Sequence, residues 1–297
     1  MEGQFKKQGH QHSVRCFFDG RKKTLTEDGQ EYNRFSEHIG KYPLIMIVPH
    51  DINLIWEAGE GRRRFFDLWL SQADRQYLEK LVEYNRFLKQ RNGLLRQAQS
   101  SGSLDRDLLE LYHRQLVPSA ELIFKARKKF IEELNPPLQR EYNRLVRSGE
   151  DVGVQYFSDL DLKPIGTILT ESLEKEIGAG RTVGGIHLDE YQFLLNGLEV
   201  RKFGSQGQQK SFLIGLKMVE LVYWEEQKGF SPLLLLDDIF DKMDDDRIAR
   251  LMDMLSGNQG GQLFITDANP ERAKEILKIA NLDFQEFYIE KGKLIKE

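Results

Sequence analysis

The chain has 297 residues, a formal net charge of −4, 40% apolar and 30% charged residues, and a single cysteine, Cys16. That length suits one large or two modest globular domains. The composition excludes an internal disulfide framework, fits a reducing cytoplasm, offers no apolar run long enough to span a membrane, and confines any nucleic-acid surface to a local patch.

Residues 1 to about 70 read as strands and turns. Residues 14–18 form a β-type run closed by Asp19-Gly20, and residues 44–48 form a second, ended by Pro49. His50-Asp51 then follows as a loop. Next comes Glu60-Gly61-Arg62-Arg63-Arg64-Phe65-Phe66-Asp67. Arginines beside aromatics can meet phosphates, and a solvated helix start is the alternative.

From residue 71 to about 148 the period changes. Ser71-Gln72-Ala73-Asp74 reads as a capping box. Leu81, Leu88 and Leu95 lie seven apart with Tyr77 and Tyr84 beside them, and Ser100-Ser101-Gly102-Ser103 is a turn. Beyond it the row Leu116, Ala120, Ile123, Arg127, Phe130, Leu134 is spaced 4, 3, 4, 3, 4, which predicts an antiparallel helical hairpin. Pro118 should kink its second helix, and Asn135-Pro136-Pro137 should end it. Between Asp74 and Arg147 stand fifteen Lys and Arg against ten Asp and Glu, a net of +5. Lys125, Arg127, Lys128 and Lys129 are therefore candidate phosphate contacts, with an ordinary solvated face as the alternative.

Residues 149–203 return to mixed structure. His187 and Asp189 sit in the loop 182–190, where a lone histidine reads as structural. Two short runs around Asn196-Gly197 predict a hairpin with a type I′ turn.

The densest signal follows. Ser205 is a natural N-cap, Gln208 completes its capping box, and Phe212, Leu216, Val219 and Tyr223 define one face of a helix stopping at Gly229. Gly207 in the first turn costs roughly 1 kcal/mol against alanine, which makes sense if something approaches the backbone there. A helix start of this kind attracts anions. Leu233-Leu234-Leu235-Leu236 reads as a fully buried central parallel strand, and Asp237-Asp238 at its C-terminal end lie where open α/β sheets bind ligands. The two acids would repel each other without a cation or proton between them. Asp241, Asp244, Asp245 and Asp246 add further acids. A helix, a parallel strand over 262–266, a helix over 271–279 and a last strand at 287–289 complete the chain.

Ser205-Gln206-Gly207-Gln208-Gln209-Lys210, the helix, the strand with Asp237-Asp238, and Asp241-Lys242-Met243-Asp244 together resemble the C-terminal half of the RecF family, ABC-type ATPases of bacterial recombination. The resemblance extends over nearly all of residues 14–297. It implies an α/β fold, an ABC-ATPase head (a mixed β/α sandwich) with an inserted antiparallel helical-hairpin lobe. The implied divisions are 1–70 for the remainder of an N-terminal ATPase lobe, 71–150 for the helical lobe, and 151–297 for the C-terminal ATPase lobe. It also implies ATP and Mg²⁺ held between two heads, a homodimer of heads on ATP. Ser205, Gln206, Gly207 and Gln208 would contact the nucleotide of the partner head as the signature motif. Asp237 would hold the metal and Asp238 would position water. Asp241 and Asp244 would form the D-loop, Thr266 or Asp267 the γ-phosphate switch, and Asp51 a nucleotide-sensing loop. Arg62, Arg63, Arg64, Lys125, Arg127, Lys128 and Lys129 would face DNA. The implied work is binding of single-stranded DNA and of gap junctions between single- and double-stranded DNA. It serves recombinase loading and the SOS response, with a RecR-type mediator as partner.

The Gly-x-x-x-x-Gly-Lys-Ser/Thr phosphate loop that such an ATPase needs is missing from the 297 residues. In the family it lies upstream of the matched region, so the chain reads as N-terminally truncated, with apolar sheet surface left exposed. Two rival readings follow. One is a non-catalytic DNA- or partner-binding protein that has lost ATP binding. The other is a metal-dependent nuclease built on Asp237 and Asp238, which lacks the further ligands of a two-metal site.

Overall fold

A computed structural model describes residues 1–7, 9–57, 59–240, 243–256, 261–280 and 282–296. The first four strands, β1 (Glu2–Lys7), β2 (His10–Phe18), β3 (Lys23–Glu27) and β4 (Gln30–Glu31), form an antiparallel sheet in chain order. β5 (Leu44–Ile47) leaves it to join a parallel sheet. A 3₁₀ turn, the short α1 (Asn53–Trp56) and α2 (Glu60–Ala73) follow.

The helical hairpin is α3 (Arg75–Ser101) and α4 (Arg106–Val146), joined through Gly102 in the left-handed conformation. Tyr77, Tyr84 and Leu95 on α3 and Leu116, Ala120 and Ile123 on α4 are buried. The heptad rows thus face the core. Ser71 does not open a capping box: α2 runs through it to Ala73, and Asp74 alone caps α3, accepting from the Gln76 N–H at 2.7 Å.

Asn135-Pro136-Pro137 does not end α4 either. The helix passes through all three prolines to Val146. Losing the two proline N–H groups frees the carbonyls of Glu132 and Glu133, and both residues are exposed to water. Meanwhile Leu138, Tyr142 and Leu145 extend the buried row beyond Leu134. Asn135 fastens the same turn to β6, accepting from Val154 N–H at 2.7 Å and donating to Val154 O at 3.0 Å. Leu138 is fully buried, so Leu138→Ala should cost about 2–5 kcal/mol in urea denaturation. A loss below about 0.5 kcal/mol, the ordinary surface value, would show that the helix ends at the prolines.

Beyond α4 come β6 (Val152–Phe157), α5 (Ile165–Glu171), α6 (Leu173–Ala179), β7 (Glu190–Leu195) and β8 (Leu198–Glu199), with β6, β7 and β8 antiparallel in that order. Asn196 and Gly197 carry φ of 49° and 75°, the pair of positive values that a type I′ turn requires. α7 (Val200–Phe203) leads into α8 (Gln206–Lys228). β9 (Leu233–Asp237), α9 (Asp245–Ser256), β10 (Leu263–Thr266) and α10 (Pro270–Ile279) complete the α/β region.

β9 lies between β5 and β10, parallel to both. It is central as expected, but it is not buried on both faces. Ile45, Ile47, Leu234 and Leu236 point into the core shared with α8, while Leu44, Met46 and Phe264 on the opposite face are 45%, 43% and 45% exposed. Asp237 and Thr266 share the parity of that open face. The last expected strand is one half of a hairpin, β11 (Tyr288–Glu290) with β12 (Lys293–Lys296), turned by Lys291 and Gly292 at positive φ. The expected fold class, a mixed α/β head with an inserted antiparallel helical hairpin, is the one observed. α2 crosses the division expected between residues 70 and 71. Among the described residues no helix is long and apolar enough to cross a membrane.

Candidate nucleotide-binding and DNA-binding residues

Parallel pairing sets Asp237 beside Thr266 at the C-terminal ends of β9 and β10. Both are exposed, and the Thr266 hydroxyl donates to an Asp237 carboxylate oxygen. Asp238 has left the strand: its φ is 48°, a left-handed value uncommon outside glycine, and its N–H donates to Thr266 O at 3.0 Å. The chain thus turns sharply just past the strand and leaves two adjacent carboxylates on different courses. Arg272 of α10 lies 3.6 Å from Asp238 and holds Asp267 at 2.8 Å. Asp267 also accepts the Asn269 N–H at 2.6 Å, and its side chain is almost fully buried. Of the two expected switch residues, only Thr266 is open to a ligand. Sequence reasoning did not single out Arg272, which neutralises this acidic strand end.

Among the described residues, no three His, Cys, Asp or Glu side chains are grouped to hold a metal. The donor set at Asp237 is therefore thin. It suits a magnesium ion only when phosphate oxygens fill the remaining positions, since that ion characteristically takes one or two carboxylates plus substrate phosphates.

The signature helix begins as its sequence dictates. The Ser205 hydroxyl accepts the Gln208 N–H at 3.2 Å, and the Gln208 side-chain oxygen accepts the Ser205 N–H at 2.8 Å. Ser205 and Gln206 are exposed. A side chain at Gly207 would lie 2.7 Å from the guanidinium of Arg247, so the close approach expected there is made from within the chain. Asp244 starts α9, accepting the Arg247 N–H at 2.9 Å and pairing with the Arg247 guanidinium at 3.2 Å. Asp241 lies outside the described residues.

Asp51 sits in the 3₁₀ turn after β5, where its carboxylate accepts the Val48 N–H at 3.0 Å. His187 is a structural histidine. Tyr84 hydroxyl lies 2.8 Å from its Nδ1, and burial holds the imidazole below its ordinary pKa and therefore neutral at pH 7.

Two of the seven expected DNA contacts are corrected. Arg62 is buried, with its guanidinium donating to the carbonyls of Leu54, Ile55 and Tyr191 at 2.6–3.1 Å. Arg127 is buried as well and pairs with Asp189 at 2.6 Å and Asp67 at 2.9 Å. A guanidinium buried among fixed interior acceptors is out of reach of a phosphate on the surface. Arg63 is half-buried and donates to Asp189 O at 2.6 Å. Arg64, Lys125, Lys128 and Lys129 are exposed, with Lys128 at 2.5 Å from Asp161 and Lys129 at 3.6 Å from Glu133.

No protein-family model matches the chain. It is 39% identical over 292 residues to the DNA replication and repair protein RecF of Cytophaga hutchinsonii, covering 98% of this chain and 78% of that protein. The protein of the same name from Flavobacterium johnsoniae is 41% identical over 268 residues, 90% of this chain and 75% of the relative. Among solved structures, the recombination mediator protein RecF bound to ATP in the RecFOR pathway superposes with a TM-score of 0.81 at 27% identity, over 90% of this chain and 74% of that one.

Proposed function

The chain belongs to the RecF family of DNA replication and repair proteins, and from that premise we propose that it is a DNA-binding head controlled by ATP. The observation that carries this reading is the strand end where Asp237 and Thr266 stand open side by side, as the chemistry of a magnesium–nucleotide complex requires. In this proposal Asp237 and the nucleotide's phosphates hold Mg²⁺. That ion would supply neutralisation of the phosphate charge. Asp238, kept in place near Arg272, orients a water, and Thr266 faces the γ-phosphate. Asp51 borders the same nucleotide, and Asp241 and Asp244 serve as the D-loop.

Ser205 and Gly207, with Gln206 and Gln208, act in trans. They present a capped helix start to the γ-phosphate bound by another head, which brings two heads together on ATP. The 297 residues contain no phosphate loop of their own, so the partner head supplies that loop. A second reading is that the chain binds DNA or a partner without nucleotide.

The DNA surface proposed is Arg63 and Arg64 at α2 with Lys125, Lys128 and Lys129 on α4. It would receive single-stranded DNA and gap junctions in the cytoplasm, with a RecR-type mediator, during recombinase loading and the SOS response. Residues 71–150 serve as the DNA-facing arm, with residues 1–70 and 151–297 as the two ATPase lobes.

Reversing Lys125, Lys128 and Lys129 to glutamate should lower affinity for a fluorescent gapped duplex. The slope of log affinity against log salt should also fall by about three. An unchanged slope would remove α4 from the DNA surface.

A further inference from the structure

The N-terminus of the signature helix is tied to the end of the helical arm by one carboxylate. Glu150 lies just beyond α4 and accepts three hydrogen bonds: from the Gln208 side-chain amide at 2.6 Å, the Tyr142 hydroxyl at 2.7 Å and the Ser148 hydroxyl at 2.6 Å. Burial raises its pKa, but the three hydrogen bonds and nearby Arg247 outweigh this and bring it below the usual carboxylate range. It is therefore a fixed anion at neutral pH.

The bond to Gln208 decides how that side chain is oriented. An amide has one donor end and one acceptor end. With its NH₂ group on Glu150, the Gln208 oxygen must face the other way, toward the Ser205 N–H it accepts at 2.8 Å. The reciprocal bond from Gln208 N–H then orients the Ser205 hydroxyl. Two further contacts reinforce the junction. Arg250 of α9 donates to the terminal α4 carbonyls of Leu145 at 3.1 Å and Val146 at 3.4 Å, and α8 passes close to α4 at Gly215, where a Cβ would lie 3.5 Å from the Tyr142 Cα.

We infer that Glu150 is the positioning residue of the signature motif, fixing the Gln208 amide and through it the Ser205 cap that meets the nucleotide of the partner head. The inference rests on the proposed action of Ser205 in trans. Glu150 touches no nucleotide. Its effect runs through one side chain, and it places the signature start under the control of the arm's last turn.

The test compares Glu150→Ala and Glu150→Gln with the unsubstituted chain. Two properties are measured: hydrogen exchange at the Ser205 and Gln208 amides, and association with a full-length RecF relative in ATPγS and Mg²⁺. Loss of one hydrogen bond to a charged group corresponds to about a tenfold effect. Glu150→Ala should speed exchange at Ser205 about tenfold and weaken the ATPγS-dependent association about tenfold. Glu150→Gln retains a carbonyl for Gln208 and should stay within about twofold on both. Unchanged exchange in Glu150→Ala would overturn the claim that Glu150 holds the cap. Faster exchange with unchanged association would reduce Glu150 to a structural clasp and overturn the positioning role. If the unsubstituted chain itself shows no ATPγS-dependent association, the reading in trans fails and this role fails with it, whatever exchange shows.

Discussion

Arg127→Met should destabilise the protein by about 3–5 kcal/mol at pH 7, the cost of removing one partner from a buried ion-pair network. Arg127 Nη1 donates to Asp189 at 2.6 Å and to Ile186 O at 2.7 Å, while Nη2 and Nε reach Asp67 at 2.9 and 3.0 Å. The Tyr156 hydroxyl donates to Asp189 and that of Tyr77 to Asp67, each at 2.5 Å. One guanidinium therefore joins α4 to α2 and to the loop before β7. Methionine keeps the stem's bulk and removes the charge, so the measured loss is electrostatic rather than a cavity. The pH dependence gives a second check. Burial already raises the Asp189 pKa against the opposing pull of Arg127. Without Arg127 it should rise further, so the folded state binds a proton more tightly than the unfolded one. The deficit of the variant should narrow as pH falls below 7 and Asp189 takes up a proton. A deficit below about 1 kcal/mol, or one that widens on acidification, would contradict the network's role. Denaturant titration at several pH values measures both.

Ser205→Arg should abolish ATP-dependent association with a full-length RecF relative, a loss of about a hundredfold or more. Ser205 is exposed and its hydroxyl caps only its own helix. Losing that cap costs about 1 kcal/mol of stability, too little to unfold a domain of ordinary stability. An arginine at the helix start, by contrast, fills the space that a partner's phosphate would enter and removes the cap that presents it. The expected pattern is a melting temperature lowered by a few degrees together with no ATP-dependent pairing. Sedimentation with and without nucleotide checks it. Pairing that survives the substitution would take the signature start out of the interface.

Much of this is legible in the sequence. The capping box, the heptad rows, the parallel run ending in Asp237-Asp238 and the Asn196-Gly197 turn are all local patterns, and each determines local backbone geometry. What was misread was usually misread from a neighbouring signal. Arg127 sits in the very row, Leu116, Ala120, Ile123, Arg127, Phe130, Leu134, that defines the inward face of α4, yet the adjacent Lys128 and Lys129 drew it to the surface. Arg62 shares its inward face with Phe66 and Trp69, three and four residues apart along α2. Pro136-Pro137 looked like a stop because proline removes helix bonds. The continuing apolar row Leu138, Tyr142, Leu145 carried the opposite signal, and packing won. Other features leave no local trace. Glu150 and Gln208 are 58 positions apart, and nothing in either neighbourhood indicates that they meet. The open face of β9 is not legible in the apolar run itself, which reads as buried whether one face or both are covered; only the family resemblance pointed to exposed apolar sheet surface.

The measurement closest to the central claim is equilibrium association of this chain with a full-length RecF relative, followed by sedimentation across ATP, ADP and nucleotide-free conditions with Mg²⁺. The account predicts pairing in ATP alone, lost in ADP and lost in Ser205→Arg. Equal pairing in all three conditions, or none in any, would contradict a signature motif that closes on another head's nucleotide.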